Sequence, residues 1–141
     1  MMILTVLLSL VLAAIAVLHA YWGFGGLWPE TTESDLAHAV IGDGRARMPG
    51  LFACLLVAAI LAAIAAWPWL LLAHPRSEIA FLSGAAIALV FFLRGCAGYS
   101  LRWRARRGAE PFATRDMIFY SPLCLVLAAA FVALLVLVRR T

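Results

Sequence analysis

Four runs of apolar residues, at about 2–22, 49–73, 79–98 and 117–138, alternate with three polar connections. Each run has about the 20 residues that an α-helix needs to cross a hydrocarbon core ~30 Å thick. Lipid offers the backbone no hydrogen-bonding partner, so a self-satisfied helix is the element such runs predict. The fold expected is all-α: a four-transmembrane-helix bundle, residues 1–141 forming a single integral membrane domain with a short interfacial helix in the first loop.

The connections refine this picture. In the first loop, Thr32-x-x-Asp35 has the spacing of a capping box, residues 33–41 have helical periodicity, and Gly42 offers a stop. Pro49 suits the first turn of the second span. Trp67-Pro68-Trp69 stands near that span's far end, at the level indole rings prefer. Residues 74–78 form a tight turn that makes spans two and three antiparallel neighbours. Ser83, Gly84, Ala85, Ala86 and Ala88 on span three, like Ala13, Ala16 and Ala20 on span one, allow close helix approach. The fourth span begins either with Thr114 as its cap or after Ser121-Pro122, where serine caps and proline opens the helix.

Composition agrees: 66% of the residues are hydrophobic, 13% are charged and the mean hydropathy is +1.03, outside the range of soluble domains. The net charge of +4 comes from arginine alone. Beside apolar spans these arginines read as topology signals and contacts with anionic phospholipid headgroups, and nucleic acid is not implied. Three of them flank the ends shared by the two termini and the second loop, against seven in loops one and three. The positive-inside rule therefore puts loops 25–48 and 99–116 in the cytoplasm and both termini outside. The first run lacks the positive leader and cleavage site of a signal peptide and reads as a retained helix. Cys54, Cys96 and Cys124 lie within spans, with no CxxC pair, and read as small buried hydrophobes.

Polar residues gather toward the end that carries loops one and three. Arg94 is the one charge well inside a span, and Asp116 at the start of span four is its nearest partner. Asp116 and Tyr120 are one helical turn apart and are expected on the same face, while Asp116 also suits the first turn of a helix electrostatically. His19 and Trp22 share a face of span one, and Trp28-Pro29-Glu30 returns an aromatic ring and a carboxylate to the membrane surface. His19, Glu30 and Asp116 are the candidate proton donors and acceptors. Trp22, Trp28, Arg94, Tyr99 and Tyr120 are the candidate ligand contacts. A metal held by His19, Cys54 and Cys124 has no spacing signature, and a haem between His19 and His38 would need a ligand from a loop, so no metal or cofactor is assigned. His19, Arg94 and Asp116, from three different spans, are expected to meet at one depth inside the bundle.

Three stretches together resemble a family of small bacterial four-helix integral membrane proteins catalogued as a domain of unknown function. They are His19-x-x-Trp22-Gly23-x-Gly25-Gly26-x-Trp28-Pro29, Arg94 at the end of span three, and Phe112-Ala113-x-Arg115-Asp116-x-x-x-Tyr120-Ser121-Pro122-Leu123-Cys124. The resemblance implies the four-helix fold and a bacterial inner membrane, and carries no activity.

The residues point to a polar and aromatic pocket at the cytoplasmic leaflet that takes a lipophilic small molecule or lipid. Acid–base chemistry of an isomerase or terpene-cyclase type, on an isoprenoid-, sterol- or quinone-like substrate, is the catalytic expectation. The alternatives are an accessory or homo-oligomeric scaffold whose Arg94–Asp116 pair fixes helix packing, or a small transporter, for which the apolar far halves of the spans offer no second pathway.

Overall fold

Each apolar run forms a helix, and every regular element among the described residues is helical; the computed structural model describes residues 1–140. In chain order these are α1 (Met2–Gly23), α2 (Glu33–Val40), α3 (Leu51–Ala73), α4 (Glu78–Ala97), α5 (Leu101–Arg106) and α6 (Phe112–Arg139). α1, α3, α4 and α6 are long and apolar enough to cross a membrane, which makes this an integral membrane protein with a four-helix bundle. α2 is capped as its sequence predicts: Thr32 Oγ1 accepts from the Asp35 amide at 3.1 Å and donates to Asp35 Oδ2 at 2.6 Å. Gly42 then stops it with a left-handed φ of 75°.

Two boundaries differ from expectation. α3 begins at Leu51 with Gly50 as its cap, so Pro49 stands outside the helix. α6 begins neither after Thr114 nor at Ser121 but at Phe112, and runs through both positions. Its continuity depends on a π turn at Asp116–Tyr120, which accommodates one residue more than an α-turn. Asp116 therefore lies inside a helix, not in its first turn.

The bundle is built from two helix pairs, α1 with α3 and α4 with α6. α1 and α3 are tied by Ser9 Oγ, which donates to the Ala65 carbonyl at 2.7 Å. On α4 the buried positions Ala80, Gly84, Ala88 and Gly95 form a small-sided stripe. Large side chains of α6 fill that stripe, among them Phe131, fully buried and stacked on Phe91 with ring centres 6.3 Å apart, and Leu135. Small facing large brings the backbones close, and close packing is what holds helices together in lipid, where no hydrophobic force separates helix from solvent. α3 and α4 touch near their shared turn, where Trp67 Nε1 donates to the Ala80 carbonyl at 3.2 Å.

Loops one and three interlock into a cap over one end of the bundle. Arg107 donates to the Ile41 carbonyl at 2.7 Å, Tyr120 to that of Ala39 at 3.1 Å, and Arg115 pairs with Glu30 at 2.6 Å. The buried Phe112 ring lies against Gly42, where any side chain would collide with it. α2 contributes Leu36, Ala37 and Ala39 to this small second core. At the opposite end, Arg139 pairs with Glu78 at 2.6 Å and lies over the Phe81 ring.

The stripe on α4 yields a direct test. A Cβ at Gly84 would already stand 3.1 Å from Leu135 and 3.3 Å from Leu71. Gly84→Leu should therefore cost about 1–3 kcal/mol as an overpacking change. Ala62→Leu on the exposed face of α3 should be close to neutral. Thermal unfolding of the two variants in detergent makes the comparison, and equal midpoints would refute the packing assignment.

Candidate functional site

Arg94 and Asp116 meet as their sequence positions suggest. Arg94 Nη2 lies 2.7 Å from Asp116 Oδ1, and Asp116 is 3% exposed. Two further donors complete the carboxylate: Ser121 Oγ at 3.1 Å on Oδ1 and Trp103 Nε1 at 2.9 Å on Oδ2. Arg94 Nη1 also donates to Ser121 Oγ at 3.3 Å, and its Cζ lies 4.6 Å from the centre of the Trp103 indole. No buried polar side-chain atom of this four-residue clamp lacks a partner. A charge inside a membrane protein is tolerable on those terms.

The π turn decides who joins the clamp. An α-helix would align Asp116 with Tyr120, the arrangement expected from sequence. The five-residue period instead aligns Asp116 with Ser121 and Arg115 with Tyr120. Tyr120 turns to the Ala39 carbonyl, and Arg115 beside it takes Glu30. Gly98 completes the fit from α4's end, since a side chain there would run into Ser121 Oγ and Asp116. Tyr99 donates to the Met117 carbonyl at 3.1 Å, bracing the π turn.

His19 is not part of this cluster. It belongs to the α1–α3 pair, whereas Arg94 and Asp116 belong to the α4–α6 pair. Its Nδ1 lies 2.8 Å from the Ile15 carbonyl and its ring packs at 5.1 Å on Trp22. A carbonyl only accepts, so Nδ1 carries the proton, and a neutral ring leaves Nε2 as an acceptor. His19 and Trp22 line a cavity of about 240 Å³ beneath the cap. Ala53, Cys54 and Val57 of α3 form its opposite wall, and Met48, Pro49 and Arg107 close it from the loops. Trp22 Nε1 is engaged by the Trp28 carbonyl at 2.8 Å, while the Trp28 ring itself is exposed.

Of the eight residues singled out from sequence, the structure therefore puts Arg94 and Asp116 in the clamp and His19 and Trp22 at the cavity. Glu30, Tyr99 and Tyr120 serve the cap and the π turn, and neither Glu30 nor Asp116 lines the cavity. No group of three or more His, Cys, Asp or Glu side chains gathers to hold a metal among the described residues. Trp103, Arg107 and Ser121 are not among the residues the sequence singles out. Trp103 and Arg107 stand four apart in the arginine run and so share a helical face, while Arg102 and Arg106 share another, exposed one. That spacing was a usable signal. Ser121 had none, because its role depends on the π turn.

On the cap surface, Asp43 holds Arg45 through two side-chain hydrogen bonds, at 2.9 and 3.0 Å. The Arg45 guanidinium keeps the Asp43 carboxyl below its ordinary range.

The clamp predicts a characteristic non-additivity. Arg94→Met or Asp116→Leu alone leaves the other charge stranded and should cost about 3–5 kcal/mol. The double variant removes both charges and should recover a substantial part of that loss. Unfolding of the three variants in detergent decides it. A double variant no more stable than the weaker single would show that the clamp does not act as a charge pair.

Two comparisons give no relative: no curated protein and no solved structure matches the chain. A family model described as "Protein of unknown function (DUF3995)" matches residues 12–131, a stretch that runs from the middle of α1 to the middle of α6 and takes in both the clamp and the cavity. The chain belongs to that family.

Proposed function

We propose that the protein binds a lipophilic molecule, with the ligand's polar end seated in the cavity between His19 and Arg107. The observation that carries this is the lining itself: an apolar chamber between two membrane helices, with a free imidazole nitrogen on one side and a guanidinium on the other. Arg107 has five N–H donors, and the Ile41 carbonyl occupies one nitrogen, so others remain for a ligand oxygen. At about 240 Å³ the chamber falls below the ~300–1,000 Å³ that encloses a whole drug-sized ligand. It suits a headgroup or a single ring, with the rest of the molecule in lipid.

The polar end contacts His19, Trp22 and Arg107. Arg94, given to the headgroup on sequence grounds, is committed to Asp116, Ser121 and the Trp103 ring instead. Proton transfer of an isomerase type, on an isoprenoid-, sterol- or quinone-like molecule, falls to His19 Nε2 in this arrangement. Glu30 and Asp116 are each paired with a guanidinium within 2.7 Å and neither lines the cavity, so neither is placed to protonate an alkene there, as a cyclase requires. The exposed Arg102, Arg104 and Arg106 suit anionic headgroups, and with the cap's arginines they argue for a cytoplasmic cap in a bacterial inner membrane.

The accessory-scaffold reading draws on the fully satisfied clamp, and one experiment separates the two. Lipids that co-purify with the protein are extracted and measured by mass spectrometry for the wild type, His19→Ala, Arg107→Gln and Arg94→Met. A pocket predicts one enriched species, reduced about 5-fold or more in the first two variants, as loss of a hydrogen bond worth ~1 kcal/mol implies. It also predicts that the thermal midpoint of His19→Ala stays near wild type while that of Arg94→Met falls. If no species is enriched, or the His19 and Arg107 variants retain it unchanged, the scaffold is the better account.

A further inference from the structure

Away from their shared turn, α3 and α4 leave between them an apolar groove of about 410 Å³. Val57, Ile60, Leu61 and Ile64 form one wall, Ile87 and Phe91 the other. Leu61, Ile64, Ile87 and Phe91 are packed against the buried core, so the groove has a fixed floor. Val57 lines both this groove and the His19–Arg107 cavity. Chamber and groove therefore adjoin at Val57. From Val57 to Ile64 is seven residues, or ~10 Å along α3, and Ile64 lies near the middle of that helix. The groove thus descends from one leaflet toward the bilayer centre. A separate groove on the outer side of α1, lined by Ile15, Leu18, Tyr21 and Trp28, shares no residue with the cavity.

We infer that the ligand is a single-chain lipid with a hydroxyl-bearing head, a prenyl or alkyl alcohol or a quinol, whose chain lies in the α3–α4 groove. This rests on the cavity being the ligand site. A hydroxyl matches the two polar groups of the chamber, because its O–H donates to His19 Nε2 while its oxygen accepts from Arg107. A hydroxyl fits better than an ionised phosphate, since it supplies the donor that His19 Nε2 needs and a fully ionised phosphate has none. The groove that adjoins the chamber accommodates one chain.

Photolabelling tests the assignment. The protein is placed in vesicles of phosphatidylcholine and phosphatidylglycerol with farnesol or tetradecanol carrying a mid-chain diazirine, and adducts are mapped by mass spectrometry. The expected adducts fall on residues 57–64 and 86–91 and drop at least fivefold with excess unlabelled alcohol or in His19→Ala. Ile60→Trp and Ala86→Trp, at positions that line the groove from α3 and from α4, should each remove them, while Leu89→Trp, which lines a different groove against α6, should not. Circular dichroism and gel filtration check that each variant is folded. Competable adducts confined to residues 48–54 would overturn the groove and leave the chamber standing. Absence of competable adducts from either probe, or adducts spread evenly over the lipid-facing residues, would overturn both. Displacement by dodecyl phosphate at lower concentration than by the alcohols would overturn the neutral head.

Discussion

A carboxylate buried within a membrane-spanning helix constrains everything around it. On insertion scales an aspartate or arginine at a helix centre disfavours the membrane by about 2.5–3.5 kcal/mol. Asp116, in the second turn of its span, has its carboxylate satisfied by Arg94, Ser121 and Trp103 together. Each of those partners then fixes an element: Arg94 holds α4 to α6, Ser121 requires the π turn, and Trp103 folds α5 over the end of the pair. Gly98 is the steric condition for the arrangement, because α4 must come close enough for Ser121 and Asp116 to occupy the space a side chain would take. The clamp is thus less a bond between two residues than a set of simultaneous demands on three elements.

The two ends of the bundle are built differently. The far end has a tight turn and one exposed ion pair between Glu78 and Arg139. The cap end carries two loops that hold each other through side chains bonded to backbone carbonyls at Ile41 and Ala39. Such bonds need both loops in a single arrangement, whereas a bundle of this kind needs its loops only as connections. Ordering loop one over α1 and α3 is what roofs the chamber, so the extra structure at the cap has a physical outcome beyond stability.

How much of this was legible in the sequence follows the range of the interactions. The four spans, the α2 capping box and the small-sided face of α4 rest on local composition and spacing, and were readable. Arg94 with Asp116 was readable too, because a charge inside a span calls for an opposite one nearby. What escaped were features that depend on register. Nothing in residues 116–120 announces a five-residue turn, yet that turn sends Tyr120 away from Asp116 and brings Ser121 in. Likewise, no local pattern tells which helices pair most closely. Because α1 packs on α3 and α4 on α6, His19 and Asp116 share a depth along the chain without sharing a site.

That separation divides the labour of the polar residues. The most conspicuous charges, Arg94 and Asp116, are bonded to each other and to Ser121 and Trp103, and neither lines the cavity. Capacity left over lies in less obvious places, at the second nitrogen of His19 and the remaining donors of Arg107. The two sites are nevertheless joined through one ring. Trp103 donates to Asp116, and its indole has the guanidinium of Arg94 at 4.6 Å and that of Arg107 at 5.7 Å. Arg107 is therefore positioned from two sides, by the loop-one carbonyl and by an indole anchored in the clamp. A charge pair outside the chamber can in this way set the geometry of the chamber's wall, which reconciles a structural role for Arg94 and Asp116 with a chamber built around other residues.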